Sequence, residues 1–207
     1  MPRLVYGVGV RDLPYQIAGQ DGSPQRDPCY AKWSDMLMRC YSTKYKSKYP
    51  SYQECSVATE WHTFSVFRAW MTSQNWQGMV LDKDLQAPGC QVYGPETCLF
   101  LPDWLNAFLS SFSSKRLSLP MGVSPEGERF IARYGAKSEQ IRLGLFDTAA
   151  EAHAAYRKHR LAQLEKRFAR YASLDSIDQK VVSALQRLIM RERSSLQDRS
   201  PMQLSSI

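Results

Sequence analysis

Two neighbouring segments, Arg129–Tyr134 and residues 140–146, alternate apolar and polar side chains with a period of two. That period is typical of a β-strand with one buried face. A helix signal follows at once, because Asp147 or Thr148 as N-cap with Glu151 near the third helical position gives a capping-box pattern. With a third strand signal at residues 119–124, the pattern predicts a three-stranded antiparallel sheet packed on one helix.

The alternation assigns the side chains of this sheet to two faces. The apolar face, which we expect to cover the helix, carries Phe130, Ala132, Tyr134, Ile141, Leu143 and Leu145. The opposite face carries Arg129, Ile131, Arg133, Gln140 and Arg142. A sheet with projecting arginines can enter the major groove of DNA, where arginine pairs with guanine. A solvated antiparallel sheet shows the same alternation, so both interpretations stay open here.

The charge of the chain is concentrated in the same region. The whole chain has a formal net charge of +7 and a pI of about 9.2. Residues 113–170 hold twelve Lys and Arg and six Asp and Glu, a net charge of +6. A basic cluster of this kind favours a polyanionic partner.

The N-terminal half predicts helices around a β-hairpin. Residues 1–28 are rich in Gly, Pro and Asp and predict an irregular arm. Asp27 followed by Pro28 predicts a helix start. A second helix is expected over residues 59–75, since its aromatic residues recur at helical spacing. The hairpin follows at residues 79–101, and a short helix begins at Asp103.

The C-terminal end predicts one more helix. Residues 175–196 are amphipathic, with apolar positions at Val181, Leu185, Leu188 and Ile189. A Ser-rich linker is expected at residues 110–114 and a frayed tail at residues 197–207. The fold class is therefore α+β. The expected domains are residues 1–28, 29–112, 113–172 and 173–207.

Cysteine content and hydropathy limit the class of protein. The N-terminus lacks the apolar core of a signal peptide. No apolar run approaches the roughly 18 residues that a membrane span needs. The five cysteines form no CxxC pair and are expected to be reduced thiols. We therefore expect a cytoplasmic protein without a membrane partner.

The segment GVSPEGERFIARYGAKSEQIRLGLFDTAAEAHAAYRKHR resembles the DNA-binding domain of plant ethylene-response factors of the apetala type, which also occurs in phage proteins. In that family a three-stranded sheet lies in the major groove. The resemblance covers about a quarter of the chain and implies double-stranded DNA as the partner. By position, it implies a DNA-facing set of Ser124, Arg129, Ile131, Arg133, Gln140 and Arg142. The target base sequence does not carry over.

Residues 30–102 resemble phage-encoded homing endonucleases of the HNH type. Trp33, Arg39-Cys40-Tyr41, Glu60-Trp61 and Tyr93 are among the residues that carry this resemblance. It implies an HNH-like module, and a phage or mobile-element origin, because such proteins often pair the two modules.

Nuclease chemistry of the HNH type needs a histidine as general base and a divalent metal. The hairpin reads Asp82-Lys83-Asp84 and contains no histidine; the chain has only His62, His153 and His159. We therefore expect a degenerate module with no catalytic residue and no cofactor. The alternative is a magnesium-dependent endonuclease that uses Asp82, Asp84 and Glu96.

Two further candidate sites are open. Four cysteines are weak zinc candidates, because they lack the usual paired spacing: Cys40, Cys55, Cys90 and Cys98. Three lysines interleaved with tyrosines are candidate phosphate contacts: Lys44, Lys46 and Lys48. Equally, this stretch is interpreted as a solvated loop whose tyrosines fold back on the core.

The leading hypothesis is a DNA-binding protein without nuclease activity. One rival is the endonuclease just described. Another is an adaptor or host-interference factor that binds a protein partner, or a second copy of itself, through the C-terminal helix.

Overall fold

The structure, a computed structural model, describes residues 4–19, 21–110, 119–135 and 139–197. Helices and small sheets both occur, which confirms the α+β class. The chain divides into two units, Met1–Asn106 and Ala107–Ile207. The expected domain boundary between residues 112 and 113, most of the expected linker and nearly all of the expected tail lie outside the described residues.

Three helices build most of the first unit: α1 (Pro28–Tyr41), α2 (Thr43–Lys48) and α3 (Phe64–Thr72). The carboxylate of Asp27 caps α1 by accepting a hydrogen bond from the Cys29 amide at 2.7 Å, as predicted. The single helix expected over residues 59–75 is wrong. A 3-10 turn ends at His62, and Thr63 adopts an extended conformation before α3 begins.

The strands of the first unit are short. β1 (Gln16–Ala18) pairs antiparallel with β2 (Pro24–Arg26), inside the segment that we expected to be irregular. β3 (Ser56–Val57) pairs in parallel with β5 (Val92–Tyr93). β4 (Met79–Asp82) and β6 (Leu99–Pro102) form the expected antiparallel pair, and α4 (Asp103–Ser110) follows β6 directly.

Aromatic side chains form the core of the first unit between α1 and α3. Trp33 is fully buried and donates a hydrogen bond from Nε1 to the carbonyl oxygen of Trp61 at 2.7 Å. Trp61 and Phe67 meet edge to face, with their ring centroids 5.1 Å apart. The Trp33 bond satisfies a polar atom that burial would otherwise leave without a partner.

The described part of the second unit contains one antiparallel sheet and two long helices. The strands β7 (Val123–Glu126), β8 (Arg129–Tyr134) and β9 (Ile141–Phe146) lie in the order β7-β8-β9. The helix α5 (Ala149–Ala172) packs on this sheet, so the predicted sheet-and-helix architecture is confirmed. The first strand begins later than expected, at Val123.

Both ends of α5 are held in place. At its N-terminus, Thr148 and Glu151 form the predicted capping box. In its last turn, the Tyr171 hydroxyl accepts a hydrogen bond from the amide of Asp178, which lies just before α6 (Gln179–Gln197). We expected α6 to begin near Asp175; it starts four residues later. None of the helices among the described residues is long and apolar enough to cross a membrane.

Candidate nucleic-acid interface

One face of the β7–β9 sheet is closed by α5. Ala132 and Ala152 are fully buried, and their small side chains let the helix lie close to the sheet. Partly buried apolar residues surround them: Phe130, Leu143, Phe146, Ala149 and Ala155. Helix α5 therefore covers the centre of this side of the sheet.

Gly122 marks the point where the chain enters β7 beside α5. Its φ is 78°, a left-handed conformation that favours glycine. A Cβ atom at this position would overlap the ring of Tyr156, which is itself buried on α5. Glycine is thus required at this position both by backbone conformation and by the close approach of the helix.

A β-bulge changes which side chains share a face. The register of β8 and β9 shifts between Ala132 and Arg133, which leaves Leu143 as the extra residue. Leu145 consequently pairs with Ile131, on the side away from α5. The prediction that Leu145 points toward the helix is wrong, because a strict period of two cannot anticipate an inserted residue.

Three arginines lie on the sheet face away from α5, and each of them forms an ion pair with an acidic side chain. Arg129 Nε lies 2.8 Å from Asp147 Oδ1. The Glu126 carboxylate bridges the other two, with Oε2 at 3.3 Å from Arg133 Nη2 and Oε1 at 3.4 Å from Arg142 Nη2. The arginine side chains are 48%, 37% and 58% exposed, in chain order. We call Glu126 and these three arginines the arginine face.

The remaining residues of the expected DNA-facing set behave differently from one another. Ile131 is fully buried, so the expectation that its side chain is presented to a base edge is wrong. Ser124 is half-buried and pairs with Ile131 across the sheet. Gln140 is exposed, one residue before β9. The alternation of side chains shows on which face of a strand a residue lies. It does not show whether that residue is exposed or buried there, so it could not reveal the burial of Ile131.

Sequence reasoning missed the two acids of this region. Glu126 entered only as an anion in a charge count, and Asp147 only as an anion, a candidate N-cap and part of the segment that carries the resemblance. The two-residue turn after Glu126 places it opposite Arg129 in the β7–β8 register. That short turn was a usable signal, because hairpin loop length fixes which residues face each other.

The tyrosine–lysine stretch of the first unit folds into α2 and a 3-10 turn. The Tyr45 ring contacts the rings of Tyr49 and Tyr52, with centroids 4.6 and 5.5 Å apart. Its tyrosines therefore pack on one another, and Tyr52 also packs on the core. The lysines remain accessible to solvent: Lys44 and Lys48 are exposed, and Lys46 is half-buried.

The acidic hairpin residues have structural contacts. Asp82 is buried, and its Oδ2 accepts hydrogen bonds from the amides of Asp84 at 3.0 Å and Leu85 at 2.8 Å. Burial raises the pKa of the Asp82 carboxyl. The exposed Asp84 pairs with the buried ammonium of Lys83, and Glu96 is exposed. These contacts fit a carboxylate that shapes the turn.

The three histidines make structural contacts. His62 Nε2 lies 3.1 Å from the Val57 carbonyl oxygen, which can only accept, so this nitrogen carries the proton. The same nitrogen is 3.2 Å from the Tyr41 hydroxyl. His153 Nδ1 donates to the Met121 carbonyl oxygen at 3.1 Å, and His159 packs on a tyrosine ring. His153 and His159 are both half-buried.

All five cysteines are free thiols in the structure. Burial raises the pKa of Cys40 and of Cys98 to about 12, and that of Cys29 to about 11. These thiols are therefore protonated at neutral pH. Within the described ranges, no three His, Cys, Asp or Glu side chains form a group that could hold a metal ion, whether zinc or magnesium.

The apolar stripe of α6 is already covered within the second unit. Val181 and Leu185 are fully buried, and Ile189 is nearly so. Two ion pairs join α6 to α5: Arg157 with Glu192 at 2.9 Å and Arg193 with Glu165 at 2.7 Å. Packing between α5 and α6 thus buries these three side chains, so the rival hypothesis of a partner-binding C-terminal helix cannot use them as an exposed surface.

Comparison of the chain with protein-family models, with curated proteins and with solved structures gave no match. The two family resemblances stay expectations, and a functional assignment rests on the geometry of the sheet.

Proposed function

We propose that this chain binds duplex DNA through the arginine face of the β7–β9 sheet. The observation that supports the proposal most is the placement of Arg129, Arg133 and Arg142 together on the side away from α5, with each side chain more than one-third exposed. Arginine forks match both guanine edges and phosphate oxygens, and β-ribbons and sheets are among the elements that enter the grooves of DNA.

The ion pairs on this face do not prevent binding. Exposed ion pairs contribute only about 0–1 kcal/mol, since water and salt compete with them. Opening one such pair therefore costs at most about 1 kcal/mol, so the arginine donors remain available to an acceptor on DNA. Lys44, Lys46 and Lys48 of the first unit belong to the proposal as additional phosphate contacts.

The resemblances add the finer part of the proposal. On their basis we propose a phage or mobile-element protein of the host cytoplasm, with an HNH-like first unit that has lost its nuclease activity. The contacts of Asp82 support the last point, because both of its hydrogen bonds run to backbone amides of its own turn. A magnesium-dependent cut that vanishes in Asp82→Asn would favour the endonuclease rival.

A titration of a labelled duplex, followed by fluorescence anisotropy, tests DNA binding. Wild-type affinity should fall steeply between about 50 and 200 mM salt, because bound cations displace several counterions. Arg133→Ala and Arg142→Ala should each weaken binding by roughly 1–3 kcal/mol.

Arg193→Ala is the matched control. It removes the same charge from an exposed, ion-paired arginine of the same unit that lies on α6. If Arg193→Ala weakens binding as much as Arg133→Ala does, the contact surface is not the sheet. Salt-insensitive binding, or none at all, would overturn the proposal itself.

A further inference from the structure

Glu126 has an unusual position for an acid on a surface expected to meet a polyanion. It ends β7, and its two carboxylate oxygens go to two different arginines, one on β8 and one on β9. One acidic side chain thus links all three strands across the arginine face. No alternation rule requires an acid here, since a second basic or neutral residue would satisfy the same strand pattern.

The bridge leaves most donors of both arginines available. A guanidinium carries five N–H donors, and Glu126 lies near one terminal nitrogen of each fork. Arg133 and Arg142 are paired residues in the β8–β9 register, so their forks start from neighbouring points on one face. The shared carboxylate therefore keeps the two guanidinium groups next to each other. A side chain that is already fixed loses less conformational entropy when it binds a ligand.

The same carboxylate opposes binding to phosphate alone. At about 40% exposure it faces the solvent that DNA would replace, and its negative charge repels phosphate oxygens. A partner that supplies only phosphates must separate Glu126 from both arginines or accept that repulsion. A base pair that offers acceptors to both guanidinium groups can bind them while Glu126 stays in place, because its edge carries no negative charge.

We propose that Glu126 is a specificity-determining residue of the arginine face. It positions Arg133 and Arg142 as one unit for base edges and penalises contacts to the phosphate backbone. This inference rests on the proposed function, and it adds a prediction that DNA binding alone does not make: removal of the acid strengthens binding to unrelated DNA while it weakens discrimination.

The experiment compares two duplexes of equal length and composition at one salt concentration. The first is the sequence enriched by wild-type protein from a random pool, and the second is its scrambled counterpart. Glu126→Gln should bind the scrambled duplex several-fold more tightly, and the ratio of the two affinities should fall about tenfold, the discrimination that one good arginine contact provides.

Two variants separate charge from position. Glu128→Gln is the matched control, because it removes the same charge two residues away, and the described residues show it in no ion pair. It should raise both affinities by the same small factor and leave the ratio unchanged. Glu126→Asp keeps the charge but shortens the bridge, so it should lower the ratio without tightening binding to scrambled DNA.

The outcomes distinguish the two proposals. Wild-type protein that binds neither duplex overturns DNA binding, and this inference with it. Wild-type protein that discriminates, with a ratio unchanged in Glu126→Gln, overturns only the role of Glu126. If Glu126→Gln and Glu128→Gln change the ratio equally, the role of Glu126 is overturned as well, since the loss of one negative charge would then explain the change in the ratio. Circular dichroism of each variant confirms that the exposed substitutions leave the fold intact.

Discussion

The β4–β6 pair and the β7–β9 sheet are both antiparallel and both place an acid at the end of their first strand, but the two acids have different partners. Asp82 ends β4, is buried, and accepts hydrogen bonds from two backbone amides. Glu126 ends β7, is 40% exposed, and pairs with arginine side chains on two other strands.

The nature of the partner decides what each acid can do. A backbone amide cannot move away from its turn without loss of the turn, so Asp82 is committed to the fold. An arginine side chain on the surface can exchange one anion for another at little cost. Asp82 cannot leave its backbone partners, whereas the arginines near Glu126 can change partners. This difference is why we propose the sheet, and not the hairpin, as the ligand-binding surface.

In this comparison the side of the β7–β9 sheet opposite the arginine face is covered by α5. The substitution Gly122→Ala tests that packing. Alanine would strain a backbone with φ of 78° and push against the buried ring of Tyr156. We expect the free energy of unfolding of the second unit to fall by roughly 2–5 kcal/mol, measured by urea denaturation.

Gly127→Ala is the control for that measurement. Gly127 has φ of 63°, but a Cβ atom there would meet open space. Its cost should be backbone strain alone, about 1 kcal/mol. Equal losses in the two variants would show that the approach of α5 to β7 is not as close as described.

Two substitutions test whether the hydrogen bonds of Asp82 stabilise its turn. Asp82→Ala leaves two buried amides without an acceptor and should cost about 1–3 kcal/mol of unfolding free energy. Asp82→Asn keeps an oxygen that can accept both hydrogen bonds, so it should cost clearly less. An alanine variant as stable as the wild type would contradict the structural role.

The pH dependence sharpens the same test. Burial raises the pKa of Asp82 in the folded protein above its unfolded value, so the folded state favours the protonated form. The stability that Asp82 contributes is fully present below its unfolded pKa and is lost as pH rises through its folded pKa. Asp82→Asn should therefore gain stability relative to the wild type as pH rises from about 4 to 7. A constant difference would contradict the assigned pKa direction.

Local signals predicted the framework of the molecule. The Asp27 cap, the Thr148–Glu151 capping box and the alternation over Arg129–Tyr134 each depend on residues within a few positions of one another. Such features are visible in a sequence because the physical interaction is itself local.

The details of the candidate site depend on contacts that sequence does not display. The bulge at Leu143 reversed the expected orientation of Leu145, and burial of Ile131 removed it from the expected surface. The bridge by Glu126 needs the register of all three strands at once. Likewise, the sequence shows that α6 has an apolar stripe, and only the fold shows that α5 packs against it.

The smallest expected effect concerns two ion pairs that differ in exposure. The Arg129–Asp147 pair beside the arginine face is 48% and 81% exposed, whereas the Arg157–Glu192 pair between α5 and α6 is 17% and 23% exposed. Asp147→Asn should change the unfolding free energy by less than about 1 kcal/mol, because solvent already screens the pair. Glu192→Gln should cost more, since it leaves a half-buried guanidinium with a weaker acceptor. Urea denaturation at low and at high salt checks both, and only the Asp147 effect should fade as salt rises. If Asp147→Asn lowered the unfolding free energy more than Glu192→Gln, the stability of the sheet would depend on its surface charges. The arginines of the sheet could then not change ion-pair partners at little cost, and the contrast with Asp82 would not hold.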